Sequence, residues 1–199
     1  YDMMMETPKM AVLSHQLPGM LERVVVSTAW VRDRLNNGER VFDLGTNTGH
    51  QILFWASELP ESHFIGIDVS ENVLNIAKDW IDALDLDNVE VLQDDLMAPK
   101  PYVTPSSLDV IVNCFVIETV PEHLAELCLL PDWIFESLKP EGRLIAVLTV
   151  DSWHDLAAIV GEWRSQDLNL IEIEMLDTGE GYCHPALVMS SSEADNGMN

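Results

Sequence analysis

Val41-Phe42-Asp43-Leu44-Gly45-Thr46-Asn47-Thr48-Gly49-His50 carries more information than any other stretch of the chain. A short apolar run ends in an acid and passes into a loop of small residues. Apolar residues then recur at helical spacing through Ile52, Leu53, Trp55 and Ala56. Strand, tight turn and helix N-terminus in that order form a pocket for a nucleoside-bearing ligand. Gly45 and Gly49 let the backbone come close to a ligand, and Asn47 between them tolerates positive φ. A dinucleotide fingerprint would need glycine at positions 47 and 50, where Asn47 and His50 stand, and the lysine of a phosphate-binding P-loop is absent.

Other segments extend the pattern. His63-Phe64-Ile65-Gly66-Ile67-Asp68 is a second buried-strand run ending in an acid, 23 residues after Gly45. That offset is close to the one at which a strand-end carboxylate accepts two hydrogen bonds from a ribose diol. An acid just before Ser70 also fits helix capping. Val89-Glu90-Val91-Leu92-Gln93-Asp94-Asp95-Leu96 is a third such run. A fourth, Leu108 to Cys114, leads into Phe115-Val116-Ile117-Glu118-Thr119-Val120-Pro121-Glu122, and Leu138-Lys139-Pro140-Glu141-Gly142-Arg143-Leu144-Ile145 turns into a fifth.

These segments, in this order between residues 41 and 150, resemble the class I S-adenosylmethionine (SAM) methyltransferases. The first matches D-x-G-x-G-x-G at Asp43, Gly45 and Gly49, with Asn47 in place of the middle glycine. Thr119 and Glu141 depart from the family's usual His and Gly. The resemblance implies SAM as cofactor and S-adenosylhomocysteine as product. It implies cofactor contacts at Asp43, Gly45, Thr46, Asn47, Gly49, Asp68, Val69, Asp94, Asp95, Leu96 and Asn113, with the ribose on Asp68 and the adenine near Asp95. Of the two acids Asp94 and Asp95, Asp95 fits the adenine position better. The alternatives are a non-catalytic SAM or S-adenosylhomocysteine binding module, or a relative using another nucleoside cofactor.

Methyl transfer from a sulfonium is a displacement with a neutral leaving group, so positioning matters most and a base is optional. Glu118, which follows the fourth run, is the first candidate to lie near the acceptor, with His123, His154, Tyr182 and His184 behind it. No histidine or cysteine spacing suggests a metal site. The [DN]-P-P-[FY] motif of amino-methylating nucleic-acid enzymes is missing at Asn113-Cys114-Phe115-Val116.

Ten Lys and Arg stand against 34 acids, a formal net charge of −24. Phosphate backbones are bound chiefly through cationic side chains, so nucleic-acid acceptors are disfavoured and a small-molecule acceptor is expected. Apolar runs are too short to span a membrane, no secretory signal is visible, and three sparse cysteines suit a reducing cytoplasm.

Alternation of strands and helices predicts an α/β fold. It is a doubly wound, Rossmann-like sheet of seven strands, the last antiparallel, with helices on both faces. Residues 1–17 form an N-terminal segment that either covers the cofactor or is mobile, residues 18–189 the SAM-binding domain, and residues 190–199 a disordered tail. Helices are expected from Leu21 to Leu35, after a Ser70 N-cap, and from Trp153 to Trp163. The fifth strand is expected over Leu144 to Val150, and Trp80 is expected in the core.

Overall fold

The computed structural model describes residues 20–98, 100–117, 131–150, 152–179, 181 and 183–191. Its strands are β1 (Arg40–Leu44), β2 (His63–Asp68), β3 (Val89–Gln93), β4 (Leu108–Cys114), β5 (Leu138–Val147), β6 (Asn169–Asp177) and β7 (Cys183–Ser190). They form one sheet in the order β3-β2-β1-β4-β5-β7-β6. β1 to β5 pair in parallel, and β7 runs antiparallel to both β5 and β6. This is the doubly wound, seven-stranded sheet expected above.

Strand periodicity of two divides the apolar side chains between two faces. Phe42, Leu44, Ile65, Ile67 and Ile111 go to one core, which α4 (Asp132–Ser137) and α5 (Trp153–Ser165) cover with Trp133, Ile134, Leu156 and Trp163. Val41, Phe64, Val110 and Val112 go to the other, which α1 (Met20–Arg32) and α2 (His50–Glu58) cover with Trp30, Val31, Ile52 and Trp55. α3 (Glu71–Leu84) seats Val73, Leu74 and Ala77 against Val91 of β3. Among the described residues no helix is long and apolar enough to cross a membrane.

Several of the scarce cations lock the amino edge of the sheet. Asp109 accepts from Lys139 Nζ at 2.7 Å and from the Arg40 backbone N–H at 2.9 Å. Arg143 Nη2 meets Glu39 at 2.5 Å, and Arg34 pairs with Glu172. The strand order reverses between β1 and β4, and that switch point opens the crevice in sheets of this kind.

Three local expectations are corrected. β5 begins at Leu138, six residues earlier than the apolar run suggested, and ends at Val147. The early part pairs only at Leu108 with Leu138 before a register shift, which lets Pro140 and Glu141 sit within the element. Ser70 is the N-cap of α3, but its side chain makes no capping bond. Trp80 is 52% exposed and not in the core. The helix turns Val73, Leu74 and Ala77 inward, which leaves Trp80 on the rim of a cavity of about 360 Å³ with Phe54 and Leu84.

Candidate functional site

Asp43 lies near the carboxyl end of β1 and is only 3% exposed. Burial pushes its pKa up to about 7; the Thr46 hydroxyl favours the carboxylate without completing a hydrogen bond of ordinary geometry, and nearby Asp68 opposes ionisation. Among the described residues no cation forms an ion pair with it. It is a buried acid in want of positive charge.

The loop after β1 uses three left-handed residues: Gly45 (φ 66°), Asn47 (φ 53°) and Gly49 (φ 83°). Thr46 N–H donates to Ile67 O at 2.8 Å, tying the loop to β2. Gly66 allows that approach, because a β-carbon there would stand 2.8 Å from Thr46 Oγ1. At Gly45 the approaching group is Val116, with Cγ2 at 2.6 Å from an ideal β-carbon; at Gly49 it is Ala77 and Leu53. Both motif glycines thus serve close packing between protein segments. α2 begins at once after Gly49, and no side chain from Gly49 caps it. First-turn N–H groups of a helix favour an anionic partner.

Asp68, half-buried at the end of β2, joins the loop to the next helix. Its Oδ2 accepts from Asn47 N–H at 3.1 Å and its Oδ1 from Ser70 N–H at 2.9 Å. A carboxylate offers about four lone-pair sites, so each oxygen keeps acceptor capacity. Burial raises the Asp68 pKa, and the backbone N–H groups counter part of that rise. Val69 is exposed, and its carbonyl accepts from Gln93 Nε2 at 3.0 Å.

The end of β3 sits beside Asp68, since Asp94 N–H donates to Asp68 O at 3.1 Å. Asp94 is itself engaged: its Oδ2 accepts from Tyr102 Oη at 2.5 Å and its Oδ1 from Asp95 N–H at 2.7 Å, with Lys100 Nζ at 3.4 Å. Burial alone would raise the Asp94 pKa, but Tyr102 and Lys100 together bring it below the usual carboxylate range. Asp95 is exposed, with Oδ1 accepting from Met97 N–H at 2.9 Å. Leu96 is buried, and its carbonyl accepts from Trp133 Nε1 at 2.9 Å.

Asn113, wholly buried on β4, accepts from Ile117 N–H through Oδ1 at 3.0 Å, and among the described residues its Nδ2 has no partner. Beyond it Phe115 adopts φ 62°, an uncommon conformation for a bulky residue. Its ring meets His184 edge-on at 5.1 Å and carries the Arg23 guanidinium 4.3 Å from its centroid. His184 is buried at the start of β7, with Nδ1 3.2 Å from Leu148 O. His154 is exposed on the first turn of α5. Glu118, His123 and Tyr182 lie outside the described residues.

Asp43, the Gly45–Gly49 loop, Asp68 and the end of β3 thus gather along one stretch of the carboxyl edge, with Asn113, Phe115 and His184 continuing it across β4 to β7. Sequence reasoning missed Gly66, Val116, Phe115 and Lys100. Only Gly66 had a visible signal, a glycine inside a buried strand, which marks close approach of another segment.

A family model described as a methyltransferase domain matches residues 35–183, which cover β1 to β6 and reach the first residue of β7. The chain belongs to this methyltransferase family. Demethylmenaquinone methyltransferase of Listeria welshimeri is 30% identical over 118 residues, covering 58% of this chain and 47% of the relative. Ribosomal protein L11 methyltransferase of Clostridium perfringens is 30% identical over 140 residues, covering 70% of this chain and 38% of the relative. This methyltransferase-family chain therefore spans about half or less of the length of those curated relatives. In fold it is similar to a SAM-dependent methyltransferase from Aquifex aeolicus, with a TM-score of 0.70, 18% identity, and coverage of 92% of this chain and 97% of that one.

Proposed function

We propose that this chain is a SAM-dependent methyltransferase acting on a small-molecule or metabolite acceptor, with residues 18–189 as the catalytic domain. The observation that carries the reading is the placement of Asp68. Its carboxylate holds the Gly45–Gly49 loop through Asn47 and the start of α3 through Ser70, and keeps acceptor capacity for a vicinal diol.

The donor set fits the cofactor's chemistry. Asp43 is a buried acid without a cation, which suits a ligand bearing an ammonium and a sulfonium. The uncapped start of α2 suits a carboxylate. Asp68 suits the ribose, and exposed Asp95 at the end of β3 suits an exocyclic amino group, whereas Asp94 is held by Tyr102 and Lys100. When bound, SAM supplies an activated methyl group whose departure leaves a neutral thioether. The protein's part is to bind and orient that group, exclude water and present the acceptor.

The acceptor reading rests on charge. A net charge of −24 opposes phosphate backbones. One relative is named for demethylmenaquinone and the other for a ribosomal protein, so both classes belong in the assay. Labelled SAM should be offered with a metabolite extract, ribosomal protein, mixed tRNA and DNA at moderate salt. Label in the metabolite fraction supports the proposal. Label only in protein or nucleic acid overturns the acceptor class, and no transfer together with tight S-adenosylhomocysteine binding points to a binding module.

A further inference from the structure

We propose that His184 is the proton-accepting residue of the acceptor pocket, through Nε2, and that the acceptor is therefore a nucleophile that must lose a proton, such as a hydroxyl. This deepens the methyltransferase reading and rests on it. Four observations place the imidazole. β7 is antiparallel to β5, so the start of β7 lies at the carboxyl end of β5, on the edge that carries Asp43 and Asp68. The contacts are continuous from the cofactor loop: Gly45 abuts Val116, the neighbouring Phe115 donates its N–H to Val147 O at 2.9 Å, and the Phe115 ring meets His184. Phe115 is held in the left-handed region, a costly conformation of the kind that collects at functional sites. Finally, Leu148 O has no proton to donate, so at 3.2 Å it accepts a hydrogen bond from Nδ1–H. A neutral imidazole whose Nδ1 donates presents Nε2 as an acceptor, and among the described residues nothing engages Nε2.

The neutral form is favoured. Burial lowers the His184 pKa and the Arg23 charge on α1 lowers it further, while the Leu148 bond works against them. For a hydroxyl the step then balances. The acceptor's O–H bond breaks and its proton joins the Nε2 lone pair. The acceptor's electron pair is released to bond the methyl carbon as that carbon's bond to sulfur breaks, and the imidazolium returns its proton to water. A general base at such a place contributes about 10²–10⁴-fold in rate.

His184→Asn is the informative variant, because the Asn amide nitrogen occupies the Nδ1 position and keeps a donor for Leu148 O. The proposal expects label transfer to the metabolite extract to fall at least about 100-fold. It expects unchanged S-adenosylhomocysteine affinity by calorimetry and a cooperative unfolding transition, lowered by the lost contact with the Phe115 ring. Transfer within about twofold of wild type would reduce His184 to a structural role and overturn the proposal. If the variant does not fold, nitrogen-15 NMR of the wild-type imidazole decides: a proton on Nδ1 and none on Nε2 supports the proposal, and a proton on Nε2 overturns it. Wild-type protein that binds no S-adenosylhomocysteine and labels nothing removes the underlying reading and the proposal with it.

Discussion

Gly45 and Val116 stand so close that a β-carbon on Gly45 would lie 2.6 Å from Val116 Cγ2. The first turn of the loop after β1 is thereby locked to the end of β4. Gly45→Ala meets two penalties: about 1–2 kcal/mol for an L-residue at φ 66°, and about 1–3 kcal/mol for overpacking. In a Val116→Ala background the second should largely vanish. A double-mutant cycle by denaturant unfolding should show coupling of at least about 1 kcal/mol; strict additivity would mean the contact is not felt.

Gly66 ties the same loop to β2. Gly66→Ala would place a β-carbon within 2.9 Å of three Thr46 side-chain atoms, so the loop must lift from Ile67 O. The expected outcome is S-adenosylhomocysteine affinity reduced by about tenfold, or about 1.4 kcal/mol, with a smaller loss of stability. Calorimetry that finds unchanged affinity would show that the loop's seat on β2 does not matter for binding.

Much of this was legible from residue order. An acid after a buried run, a small-residue loop and a second acid at a fixed offset are local features, so Asp43, Gly45, Gly49 and Asp68 could be read directly. Long-range neighbours could not. Nothing in the sequence tells that Val116 will press on Gly45, that a phenylalanine will sit at positive φ, or that His184 will face Leu148 O across an antiparallel strand. Trp80 misled for a related reason. It belongs to a regular apolar stripe, but only the part of that stripe facing β3 finds a sheet to cover it. Lys100, whose side chain is fully buried with Nζ donating to the Asp95 and Ala98 carbonyls, gave no sign of burial as a lone cation between two prolines.

Asp43 makes stability depend on pH in a definite direction. Its folded pKa is raised from 3.8 to about 7, so the native state holds a proton that the unfolded chain has released. That contribution is full below about pH 4 and is lost as pH rises through about 7. The shift corresponds to roughly 4 kcal/mol. Asp43→Asn should abolish it, so the ligand-free variant gains on wild type between pH 5 and pH 8.5. Parallel pH profiles of unfolding free energy for the two proteins would contradict the buried, cation-free acid.

Cofactor binding should in turn draw the proton from Asp43. At pH 6, S-adenosylhomocysteine, whose ammonium can pair with the carboxylate, should release up to about one proton per site on binding. Titrations in buffers of differing ionisation enthalpy measure that number directly, and a value of zero in wild type, equal to that of Asp43→Asn, would place the ammonium elsewhere.

Asp68 is proposed to hold a nucleoside diol on this edge of the sheet, and calorimetry of S-adenosylhomocysteine binding to wild type and Asp68→Ala decides whether it does. Wild type should bind, and the variant should lose on the order of 2–3 kcal/mol through removal of charge-assisted hydrogen bonds. Equal affinity in both proteins, or a wild type that binds NADH and no S-adenosylhomocysteine, would contradict it.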